Sequence, residues 1–397
     1  AADCSALVYA IAPQASAAQV SRIVERAEGI PLFAEELTRG FSAGQNVSIP
    51  ASLEDVLGYR LNLLGRAKTT AQMAATIGRE FDIDFLKALH HADALKVDRD
   101  LSRLLDASII QQEGEQRYRF RHALIRDAAY QSQPPEARQK THEAIAEAMQ
   151  RTPASARPEQ LAHHWAHAGR TDKAIKHWLA AGRQAMQQSA SREALAHFHA
   201  GLSLLENLGP DDDRALHETE LQLGIGMAAA AIDGYSSRES TLAFIRASEL
   251  QATPSLHSSA FAALWGRWSS SSSGADRPGA RHLARQMIRQ ARRSGDPVYI
   301  QQSRFAYGVC LFWEGRFAAA RSHLEFVRQS YRREQHARHI AEFGEDAGVT
   351  SAMYLSWTLW FMGESERATK LCSQGIKLAQ TVAHSFSEAY AHTCAAF

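Results

Sequence analysis

Trp178-Leu-Ala-Ala-Gly182-Arg-Gln-Ala185, followed a short way on by Ala194-Leu-Ala-His-Phe198-His-Ala-Gly201, is the stretch that decides the fold. Trp178, Gly182 and Ala185 share one face of a helix, and Ala194, Phe198 and Gly201 share one face of the next. Small residues on both let the helices cross closely, while Trp and Leu fill the space beside the crossing. The arrangement recurs in Gly308, Leu311, Gly315, Ala320 and Leu324, and again in Leu355, Leu359, Gly363, Ala368 and Cys372. Fainter copies centre on Phe244 with Ala247 and on Ala280 with Ala284. A helix pair cannot bury its apolar face alone, so neighbours must stack into a superhelix with a concave surface suited to a peptide or protein. The predicted fold class is mainly all-α.

The pairs match the W-x2-L-G-x2-Y…A-x3-F pattern of tetratricopeptide units. Equivalent positions recur about every 40 to 48 residues, longer than the usual 34, so helices or loops are extended relative to a consensus unit. The repeat region is expected over residues 136–397, cut short at its C-terminal end. A charged helix from Glu136 to Gln150 leads into it, with Pro153 and Pro158 as interruptions.

Outward from the repeats, composition sets limits. The chain has 397 residues, 45% hydrophobic, with 44 Lys and Arg against 43 Asp and Glu. A net charge of +1 gives no global basic field for nucleic acid or anionic membrane. Cys4, Cys310, Cys372 and Cys394 lie far apart, without C-x-x-C spacing, as expected for reduced thiols in a cytoplasmic protein. No apolar run approaches the roughly 18 residues of a membrane span. The chain starts on Ala1 and stops at Phe397 inside an apparent helix, so a fragment of a longer protein is expected.

Residues 1–135 read as shorter, mixed elements. Ser16-Ala-Ala-Gln19 is a capping box for a helix with Val20, Ile23 and Val24 inward, ended by Gly29. Pro31 opens the next helix, and Gly40 to Ser48 is a polar linker. Ser52 caps a helix to about Leu64. Further helices cover about Ala67 to Ile77, the region after Phe81 (capped by Asp82 or Asp84), and Leu95 to Ala107. Ile109 and Ile110 start a strand, Gly114 turns it, and Tyr118 to Arg121 return. Helices followed by a β-hairpin is the winged-helix order. The helix in the recognition position sets Lys96, Arg99 and Arg103 against Asp98, Asp100 and Asp106, a neutral set where phosphate contact needs a basic face. At His122 the returning strand runs into a helix carrying Leu124, Ile125, Ala128 and Ala129. Two readings stand there: His122 helps satisfy the helix start, or it meets an anion at that positive end.

One family has this order of motifs. Gly29-Ile-Pro31-Leu-Phe, then Ile49-Pro-Ala-Ser-Leu-Glu-Asp-Val-Leu57, then Ala75-Thr-Ile-Gly-Arg-Glu-Phe81, then Tyr118-Arg-Phe-Arg-His122-Ala-Leu-Ile resemble the bacterial STAND ATPase regulators. Members are often fused to class III nucleotide cyclases, Ser/Thr kinases or LuxR-type DNA-binding domains. The resemblance implies that residues 1–48 are lid helices of an AAA+ NTPase module, 49–135 a winged helix and 136–397 a sensor. It implies that Gly29 and Pro31 belong to the G-x-P motif near the adenine, and that His122 contacts the ADP β-phosphate in the resting state. Arg121 and Ala123 stand where the family's Met-His-Asp motif has Met and Asp. ATP or ADP would bind with an upstream core, since Gly65-Arg-Ala-Lys68-Thr69 lacks the G-x-x-x-x-G-K-S/T spacing.

The function expected is regulatory: repeats bind a protein or ligand, and a fused output such as a nucleotide cyclase responds. The alternative is a tetratricopeptide scaffold, or part of a LuxR-like regulator, without a nucleotide switch. Neither a P-loop nor a catalytic set is legible, so no enzyme activity is expected of this stretch by itself. Direct nucleic-acid and membrane partners are not expected, and oligomerisation on activation stays open. His163, His164 and His167 put two imidazoles at i, i+4 on a helix, with no H-E-x-x-H glutamate and no third ligand nearby, so no metal is expected. Trp265, Trp268, Trp313, Trp357 and Trp360 read as repeat core, and Ser269 to Ser273 as a flexible interhelix loop. Arg328, Arg332, Arg333, Arg338 and His339 read as a solvated basic face.

Overall fold

A computed structural model describes residues 2–42, 52–89, 94–151, 156–208, 212–250 and 257–396. They form two compact units, residues 1–156 with 167–169, and residues 157–166 with 170–397.

The first unit opens with α1 (Ala2–Ile11), α2 (Ala17–Ala27) and α3 (Pro31–Ser42). Val8, Val20, Ile23, Ala27, Phe33 and Leu37 form their common core. The capping box at α2 is present: the Gln19 amide donates to Ser16 Oγ at 3.3 Å, and the Ser16 amide donates to Gln19 Oε1 at 2.8 Å. Glu28 and Gly29 then take left-handed backbone (φ 50° and 83°), which frees the chain to restart at Pro31. Helix α3 runs to Ser42, beyond the linker start expected at Gly40, and residues 43–48 of that linker lie outside the described residues.

Next come α4 (Leu53–Leu63), α5 (Ala67–Ile77), β1 (Glu80–Asp82), α6 (Ile83–Leu89), α7 (Ala94–Asp106), β2 (Ile110–Gln112), β3 (Arg117–Phe120), α8 (Ala123–Gln131) and α9 (Pro135–Arg151). The strands form an antiparallel sheet in the order β1-β3-β2, with Phe81 opposite Tyr118 and Ile110 opposite Phe120. Alternation along β3 turns Tyr118 and Phe120 inward and the arginines outward. Strand β1 was legible only as a short extended piece, because three residues are too few to show a period of two. Asp82, not Asp84, caps α6: its Oδ1 accepts from the Asp84 and Phe85 amides at 2.8 and 3.1 Å.

The second unit is a tetratricopeptide-like α–α superhelix. Pro158, read as an interruption, is the first residue of α10 (Pro158–His167), where its missing N–H costs nothing. The pairs are α11 (Thr171–Gln187) with α12 (Ser191–Leu204), α13 (Asp212–Asp233) with α14 (Arg238–Glu249), and α15 (His257–Ser273) with α16 (Arg277–Ser294). They continue with α17 (Pro297–Trp313) and α18 (Phe317–Ser330), then α20 (Ala347–Phe361) and α21 (Ser365–Val382), with α22 (Ser385–Ala395) last. Helix α19 (His336–Phe343) is inserted between α18 and α20. The first helices of successive pairs also pack on one another, α11 on α13, α13 on α15, α15 on α17 and α17 on α20, so they line the inner face.

Glycine notches lock the stack. Phe198 of α12 fills the space that a Cβ on Gly182 of α11 or Gly224 of α13 would need. Phe244 of α14 does the same between Gly226 of α13 and Gly266 of α15. One aromatic ring from α12 and one from α14 therefore each key into both flanking first helices, and burying each ring contributes about 2–3 kcal/mol.

Two expectations are corrected here. Ser269 to Ser273 are no loop but the last turns of α15, with Ser269 and Ser270 buried. Serine is only a moderate helix former, and the packing of Trp265 and Trp268 on the same helix overrides its turn preference. Of the five tryptophans read as repeat core, Trp265 and Trp268 are core and Trp357 is half-buried, whereas Trp313 and Trp360 are 49% and 60% exposed at the ends of α17 and α20.

Candidate functional site

The polar cluster of the first unit is built on α3. Its second turn offers Glu35 and Glu36. Glu35 Oε1 accepts from Arg39 Nη2 and Nε at 3.0 and 3.2 Å, and lies 3.6 Å from Arg121 Nη2. Glu36, almost wholly buried, pairs with Arg60 of α4, which also donates to the Ala107 carbonyl. Arg39 Nη1 donates to Ser108 Oγ at 3.3 Å. Helix α3 is thus tied to α4 and to the α7–β2 turn by charge-assisted bonds.

His122 stands at the edge of this cluster, as the extended residue before α8 (φ −131°, ψ 146°). Its side chain makes no capping bond, while its carbonyl accepts from the Ile125 and Arg126 amides at 3.2 and 3.3 Å. Nε2 lies 3.7 Å from Glu35 Oε2, too far for a hydrogen bond, and is buried without a hydrogen-bond partner among the described residues. Desolvation lowers the imidazole pKa; Arg121, Arg39 and Arg60 act the same way, and Glu35 opposes them. The neutral ring is therefore favoured. Gly29 and Pro31 sit at the exposed α2–α3 turn, with Pro31 about one helical turn before Glu35. The structure brings Glu35 to His122. The sequence reading did not single out Glu35 for this, although two adjacent acids in the first turns of a helix were visible.

On α7, Asp100 is buried and accepts from Thr70 Oγ1 at 2.7 Å, and Asp98 pairs with Lys87 at 2.7 Å. Asp100 therefore leaves the surface set on which the neutral balance of that helix was read.

In the second unit the basic stretch after α18 is not a plain solvated face. His339 is wholly buried, its Nε2 3.0 Å from Gln301 Oε1, and burial lowers its pKa to about 4. Arg338 reaches Asp296 with Nη2 and Nη1 at 2.7 and 3.1 Å, and Glu342 with Nε at 2.6 Å. Asp346, also buried, accepts from Tyr331 Oη at 2.7 Å and faces His336 Nδ1 at 2.8 Å. Glu345 accepts from Gln302 Nε2 at 3.2 Å and Thr350 Oγ1 at 3.3 Å, and burial raises its pKa to about 8. No charge count along the sequence could separate these inward groups from Arg332 and Arg333, which stay exposed.

His163, His164 and His167 lie on α10; His164 is buried, with its ring edge-on to His163 at 5.4 Å. Among the described residues no three His, Cys, Asp or Glu side chains are placed to hold a metal ion. No helix among them is long and apolar enough to cross a membrane.

The class defined by these features is a helical repeat protein with a mixed helix-and-sheet unit before the repeats. No family model matches the chain. An uncharacterized protein of Rhizobium meliloti (strain 1021) is 25% identical over an alignment of 389 residues that covers 91% of this chain. The chain spans 37% of the length of that curated relative. Among solved structures, a STAND protein with a tetratricopeptide repeat sensor from Pyrococcus horikoshii is similar over 99% of this chain and 62% of its own, with 10% identity and a TM-score of 0.36. The apo form of RapI is similar over 82% of this chain and 77% of its own, with 10% identity and a TM-score of 0.41.

Proposed function

We propose that the chain is the regulatory and sensing portion of a STAND-type signalling ATPase. Residues 1–48 act as lid helices, 49–135 as a winged helix, and the repeats take a protein or peptide partner. An NTPase core upstream binds ATP or ADP, and a fused output such as a nucleotide cyclase responds. Partner binding must favour the open state over the closed one, or the equilibrium does not move.

The observation that carries this reading is His122 Nε2, buried without a hydrogen-bond partner among the described residues and 3.7 Å from Glu35 on the helix that Pro31 opens, with the charges of Arg39, Arg60 and Arg121 acting on it. A neutral imidazole protonated at Nε2 donates one hydrogen bond, which a phosphate oxygen accepts. The first free amides of α8 face the same end and favour an anion. Glu35 repels a phosphate unless it stays paired with Arg39, so the Glu35–Arg39 pair is part of the proposed resting state. Gly29 and Pro31 would approach the adenine from the α2–α3 turn.

The test uses the full-length protein. His122→Ala should loosen ADP by roughly 10- to 100-fold, the cost of one hydrogen bond to a charged group, and raise basal output. Unchanged ADP affinity would sink the nucleotide role of His122. The coding sequence upstream of Ala1 should contain a G-x-x-x-x-G-K-S/T loop after a strand; without one, a repeat scaffold becomes the better account.

A further inference from the structure

The inner face of the repeat array is partly covered by its own chain. Residues 331–346 run between two helix pairs, from Tyr331, the C-cap of α18, to Asp346, the N-cap of α20. They carry α19 across the first helices of the array instead of continuing the stack. Phe343 is wholly buried, with its ring 5.8 Å from Phe261, 5.7 Å from Trp265 and 6.2 Å from Tyr299, centroid to centroid. Its carbonyl accepts from Trp265 Nε1 at 3.2 Å and Tyr235 Oη at 3.3 Å. Gly344 turns the backbone with φ 73° and brings Glu345 onto Gln302. Arg338 grips Asp296, the N-cap of α17. These partners come from the turn after α13, from α15, and from α17 with its N-cap.

We propose that residues 331–346 are an internal occupant of the partner groove, displaced by an incoming helix of the same chemistry: an aromatic side chain followed closely by acids, as in Phe343-Gly-Glu-Asp346. The proposal rests on the reading of the repeats as a partner-binding surface. Phe343 joins the hydrophobic core of the repeats, and two observations mark the segment that carries it as separable. First, α17, α18 and α20 pack directly on one another, so the stack does not need α19 to close. Second, the seat is imperfectly matched. Gln302 Oε1 and His339 Nδ1 are buried without hydrogen-bond partners among the described residues. Displacement returns His339 to water and leaves Gln302 Oε1 in the seat, so an incoming segment that donates to Gln302 can outcompete α19.

Native-state hydrogen exchange on the unmodified chain is the first test. Amides of 336–343 should exchange together at denaturant concentrations where α15 and α17 stay protected. Phe343→Ala should speed that exchange at least tenfold and open Arg338 to trypsin, with the array still folded. A synthetic peptide of residues 331–346 should then bind the F343A chain at least tenfold more tightly than the unchanged one. The proposal is overturned if α19 exchanges only when α15 and α17 do, if F343A unfolds the array, or if the peptide binds neither chain. None of these results touches ADP affinity, so the nucleotide switch is judged separately.

Discussion

Phe198 stands between two glycines that face it from different helices: a Cβ on Gly224 would lie 2.7 Å from its ring, and one on Gly182 closer still. Alanine normally stabilises a helix relative to glycine by about 1 kcal/mol. At Gly182 the ring must move instead, and overpacking of this kind costs about 1–3 kcal/mol. Gly182→Ala should therefore lower the urea midpoint. Gly58→Ala in α4, where a Cβ meets nothing within 4 Å, should leave it unchanged or raise it. Equal effects at the two sites would refute the notch.

The tryptophans split by burial. Trp265→Ala removes a core ring and a hydrogen bond to the Phe343 carbonyl, and should cost about 3–5 kcal/mol. Trp360→Ala, at a mostly exposed site, should stay within about 0.5 kcal/mol. Urea unfolding of both variants decides this, and a large loss at Trp360 would restore it to the core.

Stability should depend on pH through Glu345 and His339. Burial raises Glu345 from 4.5 to about 8, so the folded chain holds the extra proton and stability falls as pH rises across that window. Burial lowers His339 from 6.5 to about 4, so the unfolded chain holds the extra proton and stability falls as pH drops from 6.5 to 4. Between 4.5 and 6.5 the two slopes oppose and cancel. From 6.5 to 8 only Glu345 acts, and about 2 kcal/mol should be lost. Glu345→Gln should abolish that loss; a decline that survives in E345Q would exclude Glu345 as its source.

The thiols should react in an order set by exposure. Cys310 and Cys394 are buried and Cys372 is partly open. Burial raises all three pKa values, Cys394 to about 11. A maleimide at pH 8 should label Cys372 ahead of Cys310 and Cys394, as peptide mass analysis would show. Labelling of Cys394 first would mean that α22 opens more readily than its packing suggests.

Local signals were enough for much of the secondary structure. The Ser16–Gln19 capping box, Pro31 at a helix start, the Ser52 cap, Gly78 ending α5 and the alternation of Tyr118 with Phe120 act over a few neighbouring residues, so their physics is written in order along the chain. Gly182 and Phe198 were legible as separate positions of the repeat pattern, but their contact was not, because the pattern does not say which side chain fills the notch. Tertiary structure alone decided which groups face inward. Gly224 and Gly266 matter only because a ring from another helix arrives there. Ser269 and Ser270 are helical and buried because tryptophans on their own helix anchor it to its neighbours. Glu35 meets His122, and Glu345 meets Gln302, across long stretches of chain. A side chain's charge and size are set by its letter in the sequence; its desolvation is set by what folds over it, and desolvation shifts both buried histidine and buried glutamate here.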